Sequence, residues 1–234
     1  MLQINNLTKL YGEKKAVDDL TISINAGEIY GFIGHNGAGK TTTIKAVCGL
    51  LEYSQGSIFV DGIDVKADPL EVKRRIAYIP DNPDIYEFLS GIKYLNFIAD
   101  IFGISTDERG ERIAKYSEIF ELSGDLASPV GTYSHGMKQK LVIISALIHE
   151  PRLLIMDEPF VGLDPKASHS LKGLMRSMCD AGGAIFFSTH VLEVAEKLCD
   201  KIAIIKNGRL VADGTMDEVR GNSSLESIFL ELTE

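Results

Sequence analysis

Four short stretches carry side chains whose type and spacing suit phosphate chemistry. Gly34 to Thr41, GHNGAGKT, fits the pattern G-x-x-x-x-G-K-[ST]. Glycines let the backbone curl so that several N–H groups point inward. Those groups, with a helix N-terminus behind them, suit the phosphates of a nucleotide. Lys40 would reach the β- and γ-phosphates, and the Thr41 hydroxyl would bind Mg2+. The plainer alternative is a glycine-rich turn before a helix. In LLIMDEP, Asp157 and Glu158 close an apolar run. Asp157 can hold Mg2+ through its hydration shell, and Glu158 is placed to orient or deprotonate an attacking water. Taken alone, the pair would read as a solvated acidic turn. His190 closes another apolar run, AIFFSTH. There an imidazole could hydrogen-bond the γ-phosphate or the water, or be a satisfied structural histidine. In TYSHGMKQKL, Ser134 and Gly136 stand at the mouth of a helical pattern. That is either a plain N-cap or a second place to hold an anion.

The elements that must position these residues follow from the pattern. LTISINAGEIYGFIG predicts strands leading to Gly34, and TTTIKAVCGLL has helical spacing. GSIFVDGIDV reads as a hairpin around Asp61-Gly62, and RRIAYIP as a short strand stopped by Pro80. From about Ile85 to Glu150 the chain is mostly helical, with breaks at Gly103, Gly124 and Pro129. RLLIMDEP, GAIFFSTH and KIAIIKNGRLVADG return as strands, separated by two helical patterns. Apolar strands alternating with helices imply a parallel sheet covered on both faces. A helical insert interrupts this α/β core.

Composition narrows the class. The chain has 234 residues, 45% apolar and 24% charged, in line with a soluble globular protein. A formal net charge of −9 argues against a nucleic-acid partner. No segment approaches the roughly 18 consecutive apolar residues of a membrane span. LVIISALI reads as a buried helix. The start, MLQINNLTKLYG, lacks a signal-peptide pattern. Cys48, Cys179 and Cys199 show no metal spacing or disulfide framework and read as buried thiols, which points to a reducing cytoplasm.

Over essentially its whole length the chain resembles the ATP-binding subunit of ABC transporters. GHNGAGKTT looks like the Walker A loop, YSHGMKQKL like the signature, LLIMDEP like Walker B with the catalytic glutamate, GLDP like the D-loop and STH like the H-loop. The resemblance implies an α/β P-loop NTPase with a mostly parallel sheet core, an N-terminal antiparallel β part and an inserted helical subdomain. Residues 1–85 and 151–220 would form the core, 86–150 the helical subdomain carrying the signature, and 221–234 a tail like that of export-type subunits. It implies ATP and Mg2+ at Gly34, Asn36, Gly37, Ala38, Gly39, Lys40, Thr41, Thr42 and Asp157, with Glu158, His190 and Lys40 catalytic. Tyr11 falls at the adenine-stacking position; the alternative is an aromatic in a loop, packed against the sheet. Two subunits, identical or close homologues, would clamp each ATP head to tail, so that Ser134 and Gly136 serve the partner's γ-phosphate. Asp164 in the D-loop would meet the partner, or be only an N-cap with Pro165 behind it.

Three positions depart from the family pattern. His135 and Met137 replace a glycine and a glutamine of the signature, and Asp81 stands where the family has a Q-loop glutamine. Asp81 could face Mg2+ directly or through water, or open an Asx turn before Pro83. Integral membrane subunits are the implied partners, docking on the helical insert and on residues 81–90, with the chain peripheral on the inner face of the cell membrane. The alternative is a non-transport ATPase of the same family, acting in cofactor assembly or on nucleic acid and the ribosome.

Overall fold

A computed structural model of the chain describes residues 1–83, 85–221 and 223–233, Thr233 by its backbone alone. The chain forms two compact units. One comprises Met1–Tyr78, Arg152–Pro159 and Met175–Glu234, the other Ile79–Pro151 and Phe160–Leu174.

In the first unit, β1 (Leu2–Tyr11) and β2 (Lys14–Ile24) alternate buried and exposed residues and pair antiparallel. One face is thus apolar and the other wet. After β3 (Ile29–Ile33) the chain passes through the glycine loop into α1 (Lys40–Val47). Strands β4 (Gln55–Val60) and β5 (Ile63–Asp64) form the expected hairpin. Asp61 and Gly62 turn it with φ of 54° and 79°, the pair of positive values that matches strand twist. Helix α2 (Pro69–Arg75), capped by Asp68, leads into β6 (Ile76–Ile79), which ends at Pro80.

The second unit is helical. It holds α3 (Gly91–Ile101), α4 (Thr106–Ile119) with a capping box between Ser105 and Glu108, and α5 (His135–Leu147). Gly103, at φ 67°, follows the end of α3. Every residue from Leu141 to Ile148 is buried, so that run is an interior helix segment.

The chain then returns through β7 (Leu153–Asp157), α6 (Pro165–Asp180), β8 (Ala184–Thr189), α7 (Leu192–Leu198), β9 (Lys201–Lys206), β10 (Arg209–Thr215), α8 (Met216–Arg220) and α9 (Leu225–Thr233). Two sheets result, ordered β2-β1-β4-β5 and β10-β9-β3-β8-β7-β6. In the larger, β3, β7, β8 and β9 run parallel and β10 is an antiparallel edge. β3, β7 and β8 are buried at every residue, which is why each reads as an unbroken apolar run. Phe186 fills the core between Tyr30 and Phe32, with ring centroids 6.0 and 5.5 Å away.

All three cysteines are free and buried. Desolvation pushes their thiols up, that of Cys179 to about 11. Among the described residues no helix is long and apolar enough to cross a membrane.

Candidate active site

The loop from Gly34 to Gly39 leaves the C-terminal end of β3, a position where open parallel sheets gather ligands. Its shape requires glycine where it is tightest. Gly39 has φ 115°, and a Cβ there would lie 2.6 Å from the Ala16 carbonyl oxygen. Gly37, at φ 82°, faces open space. Asn36 is exposed at the apex; Ala38 is buried, and its carbonyl accepts from Gly208 N at 2.8 Å. Helix α1 begins without a side-chain cap and without an acidic residue in its first turn. By contrast α2, α4 and α8 are capped by Asp68, Ser105 and Thr215. Uncapped first-turn N–H groups at a positive dipole end are donors for an anion.

Lys40 is 6% exposed. Its Nζ donates to the carbonyls of Gly34 at 2.6 Å and His35 at 3.3 Å, and lies 3.7 Å from Glu158 Oε1. A cation held this far from water needs such oxygens. Thr41 Oγ1 donates to Asp157 Oδ2 at 2.6 Å, so the loop and the end of β7 meet. Thr42 is half-buried beside it. This hydroxyl and carboxylate are hard oxygen donors of the kind Mg2+ takes, and the pair fits that ion.

Glu158 has φ 49°, uncommon for a residue with a Cβ. Its N–H donates to Ser188 Oγ at 3.2 Å, and its carboxylate lies 3.0 Å from His190 Nδ1. His190 N donates to Glu158 Oε2 at 3.4 Å. The strained backbone thus points the carboxylate back between Lys40 and His190. Ser188 is a residue the sequence reading missed. Its Oγ donates to Asp157 Oδ1 at 2.5 Å, fixing the carboxylate oxygen that Thr41 leaves free. Nothing local in the sequence marks it, because only the parallel register pairs Asp157 with Ser188.

At Tyr11 the structure departs from the plainer alternative. It does not sit in a loop packed against the sheet; it is the last residue of β1, paired with Lys14. Its ring is 51% exposed, with Lys9 Nζ 4.9 Å from the centroid.

Ser134, Gly136 and Asp81 belong to the second unit. Ser134 is the N-cap of α5, its Oγ accepting from Met137 N at 3.2 Å. Asp81 is exposed just beyond β6, and Asp84 lies outside the described residues. Asp164 caps α6 by accepting from Ala167 N at 2.8 Å, as the local reading expects. It also pairs with Lys140 at 2.6 Å, and this lysine beside it holds its carboxyl below the usual range.

The unexplained His135 has a physical partner. A Cβ on Gly162 would lie 2.5 Å from His135 Cδ2, and one on Gly136 would lie 2.8 Å from the Gly162 carbonyl oxygen. The imidazole therefore covers the face that Gly162 leaves bare. Gly162 also has φ 79°, so Gly162→Ala adds both a collision and backbone strain. We expect a loss of about 2–3 kcal/mol in denaturant unfolding. Adding His135→Gly should recover only the collision's share.

The ABC transporter family model matches residues 17–161. The ABC-type transporter ATP-binding protein EcsA of Bacillus subtilis (strain 168) is 35% identical, the match covering 100% of this chain and 97% of EcsA. The bacitracin transport ATP-binding protein BcrA of Bacillus licheniformis is 38% identical over 94% of this chain and 71% of its own length. A solved ATP-binding subunit of an ABC transporter is 38% identical, with TM-score 0.96 and full coverage of both chains.

Proposed function

The chain belongs to the ABC transporter family, and on that premise we propose that it is the Mg-ATP-hydrolysing motor subunit of an exporter. The observation that carries this reading is the 2.6 Å hydrogen bond from Thr41 to Asp157, which joins the phosphate-type loop to the acidic strand end. The first-turn N–H groups of α1, the loop amides and Lys40 bind the phosphates. Thr41 and Asp157 would hold Mg2+, which supplies positive charge to the phosphate oxygens when bound. Asp81 is a further carboxylate proposed for that ion, directly or through water. Glu158 orients water and accepts its proton, and His190 holds the Glu158 carboxylate in place. Tyr11 offers an exposed ring to the adenine. Ser134 and Gly136 serve the nucleotide of a second ATPase subunit packed head to tail.

Export follows the relatives named for bacitracin transport and for daunorubicin/doxorubicin resistance. An integral membrane subunit is the expected partner, met by the helical unit and residues 81–90. In its support, Tyr86, Phe88 and Phe97 expose 51%, 80% and 42% of their surfaces. Tyr86 stands 5.8 Å, ring to ring, from each of the other two. Clustered exposed aromatics mark interaction surfaces. Affinity capture from detergent-solubilised membranes tests the reading. Wild-type chain should retain a multi-span protein and Phe88→Arg should release it. Capture of no integral membrane protein by the wild type would sink the transporter assignment.

A further inference from the structure

Between Gly34 and Gly39 the phosphate-type loop carries a single ring, that of His35; its other residues are Gly, Asn, Gly, Ala and Gly. Its apex, residues 35–37, is exposed, and Gly37 and Gly39 have positive φ. Such a stretch has little side chain with which to fix its own shape, and glycine adds freedom that must be lost on ordering. That ring is held by a distant part of the chain. The His35 ring lies against Phe229 of α9, with centroids 4.8 Å apart and planes at 55°. Phe229 is 7% exposed and Leu225, one turn earlier, is 0% exposed, so α9 is anchored. The helix packs on α7 and α8 within the same unit. On its backbone side, His35 accepts from Lys40 Nζ at 3.3 Å and from Ala38 N at 3.1 Å.

We propose that Phe229 is a positioning residue for nucleotide binding. It holds the His35 ring, the His35 carbonyl in turn fixes the turn of the loop and one oxygen around Lys40, and α9 thereby sets the loop before nucleotide arrives. A preorganised loop spends less of the binding energy on its own ordering. The effect therefore falls on affinity rather than on the chemical step, since the Phe229 ring packs on His35 of the loop, whereas Glu158 is held by Ser188 and His190. The inference rests on the assignment of the Lys40 loop to nucleotide.

Binding of Mg-ATP to the full chain, followed with a fluorescent ATP analogue, and steady-state hydrolysis test it together. Phe229→Ala should raise Kd and KM by about three- to tenfold, the range of an aromatic pair and the order it imposes, with kcat within about twofold. Phe229→Tyr keeps the ring and should restore wild-type values. His35→Ala should reproduce the defect, and His35→Ala/Phe229→Ala should be no worse than either single change. Leu230→Ala, on the exposed side of α9 at 48%, should change nothing. If Phe229→Ala proves too unstable to assay, Phe229→Leu keeps an apolar anchor without the ring and should still raise KM. An unchanged KM in folded Phe229 variants, or additive effects of the two alanines, would overturn the proposal. Lys40→Ala separates the two readings: if it leaves ATP affinity intact, the nucleotide assignment of the loop fails, whatever Phe229 does.

Discussion

Glu158→Gln should lower ATP turnover about 10²- to 10⁴-fold while leaving Mg-ATP affinity near wild type. The substitution keeps the shape and the hydrogen-bonding reach of the side chain but removes its ability to take a proton. The Glu158 side chain is only 12% exposed and lies between His190 Nδ1 at 3.0 Å and Lys40 Nζ at 3.7 Å. Few waters can substitute for it there. Its unusual backbone, φ 49°, is held by N–H donation to Ser188, and glutamine can adopt the same conformation. A folded, nucleotide-binding, slow variant is therefore expected. Phosphate release in a single turnover, measured beside nucleotide Kd, decides the matter. Unchanged release would remove Glu158 from its assigned role, and a lost affinity would recast it as a binding residue.

Ser134→Arg should abolish hydrolysis that depends on a second subunit and spare binding at the chain's own Lys40 loop. Ser134 is exposed, and its side chain caps α5 by accepting from Met137 N at 3.2 Å. Loss of that cap costs about 1 kcal/mol, too little to unfold the domain. The long guanidinium instead occupies the helix mouth where the partner's phosphate would sit. ATP-induced dimerisation of Glu158→Gln chains, read by light scattering, should vanish when Ser134→Arg is added. Ser134→Ala isolates the cap and should leave most of the dimer. Loss of ATP binding by the Ser134→Arg monomer would contradict the shared-site account.

The parts of the site that were legible in the sequence are those whose signal is local. GHNGAGKT and LLIMDEP name their chemistry within a few residues, and both strands that deliver them are buried throughout and so unbroken in pattern. The Asp61-Gly62 hairpin was equally local. What stayed hidden depends on residues far apart in the chain. Ser188 reaches Asp157 only through the register of two parallel strands. His135 looked like an unexplained departure because the glycine it covers, Gly162, lies in a different segment. The alternative for Tyr11, an aromatic in a loop, fails because β1 runs to Tyr11 and pairs it with Lys14 across a turn. The contact of Phe229 with His35 left no mark at either end of the sequence that could have matched the two.

The joint between the start of α5 and residues 162–164 has a mechanical consequence. Close backbone approach at Gly136 and Gly162, the His135 ring laid over Gly162 and the Lys140–Asp164 ion pair tie the two segments at three points. Three attachments suppress sliding as well as rotation, so this joint is stiff. Within the helical unit, the first turn of α5 and residues 162–164 therefore move as one piece.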